Sequence, residues 1–141
     1  MNTSSLPHPL PPPLGSYARW RRIGPTIYVA GVSARLADGS IAGVSRDADG
    51  TVHHDVAVQT RRVLRNIEAI LAEAGARLAD CIDMTVYLVR PEDFAAFNAA
   101  YAECLAERFG EGSVYPTRTT VVVRGLPHPD MVVEIKAIAS T

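Results

Sequence analysis

The chain has 141 residues, of which 48% are hydrophobic and 21% charged, and a formal net charge of −1. That length suits one domain burying its own core, and that charge leaves no basic field to hold nucleic acid or an anionic membrane surface. Cys81 and Cys104 stand apart from any CxxC or metal-ligand spacing, and no apolar run approaches the ~20 residues of a bilayer span, so a reduced, cytoplasmic protein without a metal centre is expected.

Residues 1–14, MNTSSLPHPLPPPL, form a proline-rich arm that can join neither a helix nor a central strand. It is expected to be mobile or polyproline-like, with His8 solvated, ahead of a single α+β domain over residues 15–141. SYARWRRIG and TIYVAGV read as two short strands joined at Gly24 and Pro25. Arg19, Arg21 and Arg22 then lie on an exposed edge or grip a second carboxylate of a ligand. From Ser33 to Gly50 the chain is rich in Gly, Asp and Ser, with IAGV as a short strand inside a loop.

Val56, Thr60, Val63, Ile67, Ile70, Leu71 and Ala74 recur at three- and four-residue steps, which predicts an amphipathic helix with Asp55 at its start and Gly75 as its stop. His53 and His54 precede it in adjacent positions and share no helix face, so they make a poor metal pair. CIDMTVYLV alternates, placing Ile82, Met84, Val86 and Leu88 on one face of a strand. Pro91, Glu92 and Asp93 open a second helix whose inner stripe is expected to be Phe94, Phe97 or Asn98, Tyr101, Leu105 and Phe109.

The last segment, YPTRTTVVVRGLPHPDMVVEIKAIA, contains two strands. Val133, Ile135, Ala137 and Ala139 make an apolar row in the second, with Glu134 and Lys136 on its other face. If GLPHPD turns the chain so that the two strands pair, Glu134 falls near Thr120 and Arg118 becomes a diagonal neighbour on the same face, ~7–8 Å away. Two helices cover one side of such a sheet only. The other side, expected to carry Val122, Val132, Ile138 and Tyr87 beside Arg118 and Glu134, predicts burial against another copy.

PTRTTVVV, LPHP and VVEIKAIA, with GSY at Gly15–Tyr17, IYVAG at Ile27–Gly31, QTRRVLRNIEAILAEAG at Gln59–Gly75 and DFAAFNAAY at Asp93–Tyr101, resemble the reactive-intermediate deaminase (Rid, YjgF-like) family of imine and enamine hydrolases. The resemblance covers nearly everything after the arm. It implies a chorismate-mutase-like fold, one mixed sheet with two helices on one face, and a homotrimer with a cleft at each subunit boundary. It also implies that Tyr17, the Ala30–Gly31 segment, Asn98 and the backbone at Thr120 complete a cleft around Arg118 and Glu134. Many members carry serine at the position of Ala30 and cysteine at that of Thr120, so the same hydrolytic step with a shifted substrate range is expected.

Arginine's planar fork can hold a carboxylate by two charge-assisted hydrogen bonds, and a desolvated carboxylate can move a proton between water and a departing nitrogen. Arg118 is therefore expected to bind the carboxylate of a small-molecule substrate and Glu134 to activate water, with no cofactor. Within the family, IAGV, DADGT, QTR, VYLV, PTRTTV and LPHP look most like the variant acting on 2-aminomuconate, which yields 2-oxohex-3-enedioate and ammonia in aromatic-compound catabolism. Its second carboxylate would need a further cation from among Arg19, Arg22, Arg124 and His128. Two alternatives are a general deaminase of 2-aminoacrylate-type enamines and a non-enzymatic trimer that binds small carboxylates.

Overall fold

The structure, a computed structural model, describes residues 9–141; the expectation for His8 lies outside them. The chain builds β1 (Trp20–Ile23), β2 (Thr26–Val29), β3 (Val32–Ser33), β4 (Val44–Arg46), β5 (Val52–His54), α1 (Val56–Glu73), β6 (Cys81–Leu88), α2 (Phe94–Arg108), β7 (Thr117–Val122) and β8 (Val133–Ser140). The main sheet runs β1-β2-β8-β6-β7, with β3 also on β8. All pairs are antiparallel except β6 with β7, which makes the sheet mixed as expected. The Gly-rich loop contributes more than one short strand, because β4 and β5 close a separate hairpin. His53 and His54 lie on β5 within it, not in a loop before the helix.

The two final strands do not pair with each other. β6 lies between them, parallel to β7 and antiparallel to β8. A parallel neighbour needs a crossover, and α2 with its connections supplies it between β6 and β7. The GLPHPD segment is thus not a hairpin turn but a bridge across one strand.

α1 buries the predicted stripe from Val56 to Leu71 on the inner face of the sheet. The Asp55 side chain accepts the Val58 N–H at 3.0 Å, and Gly75 leaves the helix at φ +75°, a conformation costly for any residue with a Cβ. On α2, Phe97, Ala100, Tyr101 and Leu105 are buried, whereas Phe94 lies exposed in the first turn. In β6 a register shift between Cys81 and Asp83 turns Cys81 inward and leaves Ile82 exposed, so the strict alternation holds only from Met84 onward. Both cysteines are free; burial pushes the Cys81 thiol up to about 12, which keeps it protonated and inert.

Two buried polar side chains on α1 tie loops to the core. Asn66 Nδ2 donates to the carbonyls of Ser33 and Arg35. Gln59 Nε2 donates to the Asp130 carbonyl at 2.7 Å, and Gln59 Oε1 accepts the Val132 N–H at 3.0 Å. Gln59 thereby fixes the entry to β8. Gln59→Leu strips partners from both backbone groups, at about 1–3 kcal/mol for each group left unpaired. Urea unfolding is expected to show a stability loss of at least ~2 kcal/mol.

Candidate functional site

Arg118 sits on the edge strand β7 opposite Met84 of β6, whose side chain is fully buried under the helices. Partners in a ladder point to the same side, so Arg118 projects toward α2. Its guanidinium carbon lies 4.8 Å from the Tyr101 ring centroid and 5.3 Å from that of Phe97, and Nη2 donates to Asn98 Oδ1 at 2.9 Å. The stacking rings and the amide pre-set the direction of the fork. Among the described residues no carboxylate pairs with this arginine. Burial pushes the Tyr101 phenol up to about 12, so it stays neutral beside the cation. Two residues along the same face, Thr120 Oγ1 is buried without a hydrogen-bond partner.

Glu134 lies on the opposite side of the sheet. It pairs with Tyr87, which alternates with the fully buried Val86 and Leu88, while its own neighbours Val133 and Ile135 point into the core. Two strand spacings across and three residues along separate the Arg118 and Glu134 backbones by about 14 Å. The expected diagonal contact within one chain is therefore absent. The physical reason is the inserted β6, which changes both neighbour and face. The expected outer patch changes with it: Val132 is buried and Val122 lies opposite Leu88 on the helix side, while Tyr28, Tyr87, Val121 and Ile138 surround Glu134 on the open face.

β2 and β3 are halves of one strand broken opposite Lys136 and Ala137, one step before Glu134 pairs with Ser33. Between the pairs Tyr28 with Ile138 and Val32 with Ile135, three residues oppose two, which is a bulge. Ala30 and Gly31 occupy it. A Cβ on Gly31 would stand 3.1 Å from both Cδ and Oε1 of Glu134, so glycine is what lets the carboxylate nest against the backbone. The acid is half-buried and makes no hydrogen bond or ion pair among the described residues, and burial raises its pKa above the ordinary carboxylate value. Gly31→Ala is expected to push the carboxylate out toward solvent and bring its pKa back down toward the ordinary glutamate value, as read by carbon-13 titration of the side chain.

A chamber of about 310 Å³ opens beside Glu134 and brings together Tyr17, Ala30, Gly31 and Glu134. Asn98, Arg118 and Thr120 are not among its lining residues. The seven expected residues thus fall into two groups, four around Glu134 and three around Arg118. The chamber's roof is the described part of the arm. Tyr17, half-exposed, accepts the Leu14 N–H at 3.3 Å through its hydroxyl. Residues 9–14 have no regular structure, yet they lie against the body: Pro11 is buried and Leu10 packs on the core.

Of the candidate extra cations, Arg19 donates to Glu73 and to the Pro11 carbonyl, and Arg22 to Thr141 Oγ1 and the Ala74 carbonyl. His128 Nδ1 accepts the Asp130 N–H, and Arg124 is exposed. Sequence reasoning did not single out Arg35, which donates to the Pro12 carbonyl, nor the role of Phe97 and Tyr101 as a platform for Arg118. The helical spacing of Phe97, Asn98 and Tyr101 held that second signal. Among the described residues there is no group of three His, Cys, Asp or Glu side chains placed to hold a metal, and no helix is long and apolar enough to cross a membrane.

The family described as endoribonuclease L-PSP matches residues 9–141. A RutC family protein of Pyrococcus abyssi is 39% identical over 92% of this chain and 89% of its own length. The 2-iminobutanoate/2-iminopropanoate deaminase of Salmonella typhimurium is 38% identical over 64% of this chain and 67% of its own. The crystal structure of Escherichia coli TdcF with bound serine superposes with a TM-score of 0.77 at 32% identity, covering 93% of this chain and 92% of that one.

Proposed function

This chain belongs to the endoribonuclease L-PSP family, also known as YjgF/Rid, and on that premise we propose that it is a cofactor-free hydrolytic deaminase of 2-imino and enamine carboxylates. The observation that carries the reading is a pair of complementary half-sites: an aromatic-stacked arginine and a half-buried carboxylate, neither with an ion-pair partner among the described residues. They face opposite sides of one sheet, so a complete site needs two copies. The open face around Glu134 exposes Tyr28 and Val121 beside Ile138 and Tyr87, an apolar surface suited to burial in a homotrimer. In each cleft Arg118, Asn98 and Thr120 of one subunit would meet Tyr17, Ala30, Gly31 and Glu134 of the next.

The chemistry follows from those groups. Arg118 holds the substrate carboxylate by its fork and so fixes the adjacent C=N carbon. Ionised Glu134 takes a proton from water as the oxygen adds to that carbon and returns it to the nitrogen, giving a carbinolamine. It then carries the carbinol hydroxyl proton to the amine, the C–N bond breaks, and ammonia leaves with the electron pair while the carbonyl forms. The Salmonella relative is named for this reaction on two short imino acids. The Escherichia coli structure holds an amino-acid carboxylate.

The general substrate class is preferred to 2-aminomuconate because the deaminase relatives are named for short imino acids and, of the four candidate cations, Arg19, Arg22 and His128 are engaged in bonds within the chain, leaving Arg124 exposed. A ribonuclease reading, which the family's description suggests, would want an array of phosphate-neutralising cations, and the net charge of −1 offers no such field. Ammonia release from 2-iminopropanoate, 2-iminobutanoate and 2-aminomuconate tests the reading. Turnover of the first two, with the dicarboxylate slower, is expected; turnover of the dicarboxylate alone would restore the narrower substrate, and turnover of none would end the deaminase assignment.

A further inference from the structure

The roof of the Glu134 chamber is made by a strand of chain held down at separate points. Arg19 Nη2 donates to the Pro11 carbonyl at 2.7 Å and Arg35 Nη1 to the Pro12 carbonyl at 2.9 Å. Each arginine spends a hydrogen bond on the arm's backbone, and Arg19 meets Glu73 with its other nitrogen. Beneath the arm the wall is mostly apolar, with Val32, Ile70 and Met131 beside Ser33 and Asn66, and Glu134 stands at the same cavity beside Gly31. A chamber of about 310 Å³ is far larger than the methyl group of the shortest imino acid requires.

We propose that the Leu10–Leu14 segment is the specificity-determining wall of this site, closing a chamber that takes the branched or extended apolar side chain of an imino acid. The inference deepens the deaminase reading and rests on it for the identity of the reacting carbon. Apolar side chains enter because the wall offers dispersion contacts and desolvation, and because the two guanidinium groups nearest the roof are committed within the chain, Arg35 to an arm carbonyl and Arg19 to an arm carbonyl and Glu73. The Arg35 latch is a single exposed hydrogen bond, so removing it loosens the roof at Pro12 without opening the core.

Calorimetric binding of two stable oxo-acid analogues to the full-length protein tests the wall directly. Wild type is expected to bind 4-methyl-2-oxopentanoate about 10–50-fold more tightly than pyruvate, from the extra buried carbons. Arg35→Ala, which releases a latch, and Leu10→Ala, which thins the wall, should each cut that preference to below about 3-fold while leaving pyruvate binding unchanged. Equal binding of the two acids by wild type, or an undiminished preference in both variants, would overturn the proposal. A preserved and variant-sensitive preference in a protein that releases no ammonia would support the chamber and sink the deaminase reading. Ammonia release without any preference would do the reverse.

Discussion

Arg118→Ala lowers kcat/KM by about 10²-fold or more, chiefly through KM, because each lost charge-assisted hydrogen bond to the substrate carboxylate is worth ~1.5–3 kcal/mol. The side chain is not holding the fold together through an ion pair: its described partners are two rings and one amide oxygen. Arg118→Lys is expected to recover little of the loss, since a point charge cannot reproduce the two parallel bonds of the fork. Steady-state ammonia release by both variants, with thermal unfolding to confirm the fold, checks this. An arginine that merely supports structure would leave KM unchanged and lower the unfolding temperature.

Glu134→Gln keeps binding and loses about 10²–10⁴ in kcat, the usual weight of a positioned acid–base group. The same substitution should stabilise the protein at neutral pH. Burial raises the folded-state pKa of Glu134 above 4.5, so the neutral form is favoured in the folded chain and the ionised form is penalised. For a raised pKa, that group's favourable contribution is complete below the unfolded value and is lost as pH rises through the folded one. The activity of wild type therefore gains its acidic limb at a pH above that of an ordinary glutamate, and Glu134→Gln lacks the limb. An unfolding temperature for the variant at or above that of wild type at pH 7, paired with collapsed turnover, is the expected signature. Unchanged turnover would remove the acid from the mechanism.

The candidate residues could be named from the chain, but where they stand relative to one another could not. The periodicities of Val56–Leu71 and Val133–Ala139 place α1 and β8 and their buried faces correctly, since burial of one face enforces those periods. Strand alternation says which side chains share a face of one strand and nothing about which strand lies beside it. A proline-interrupted GLPHPD invited a hairpin, while the crossover through α2 placed β7 beside β6 and put Arg118 over Tyr101. Gln59 and Asn66 fall outside the predicted stripe of α1 and are buried all the same, because the carbonyls of Asp130, Ser33 and Arg35 come to meet them. The arm looked mobile by composition, and composition does not show that Arg19 and Arg35 turn back to fasten residues 11 and 12.

The division of the site between two faces makes a demand that mixing of variants can meet or refuse. Arg118→Ala and Glu134→Gln proteins, each nearly inactive, are unfolded together in equal amounts and refolded. If every cleft takes its arginine from one subunit and its acid from the next, about a quarter of the clefts in the mixture carry both native residues, and ammonia release should return to about a quarter of the wild-type rate. A mixture as inactive as its components would contradict the shared site.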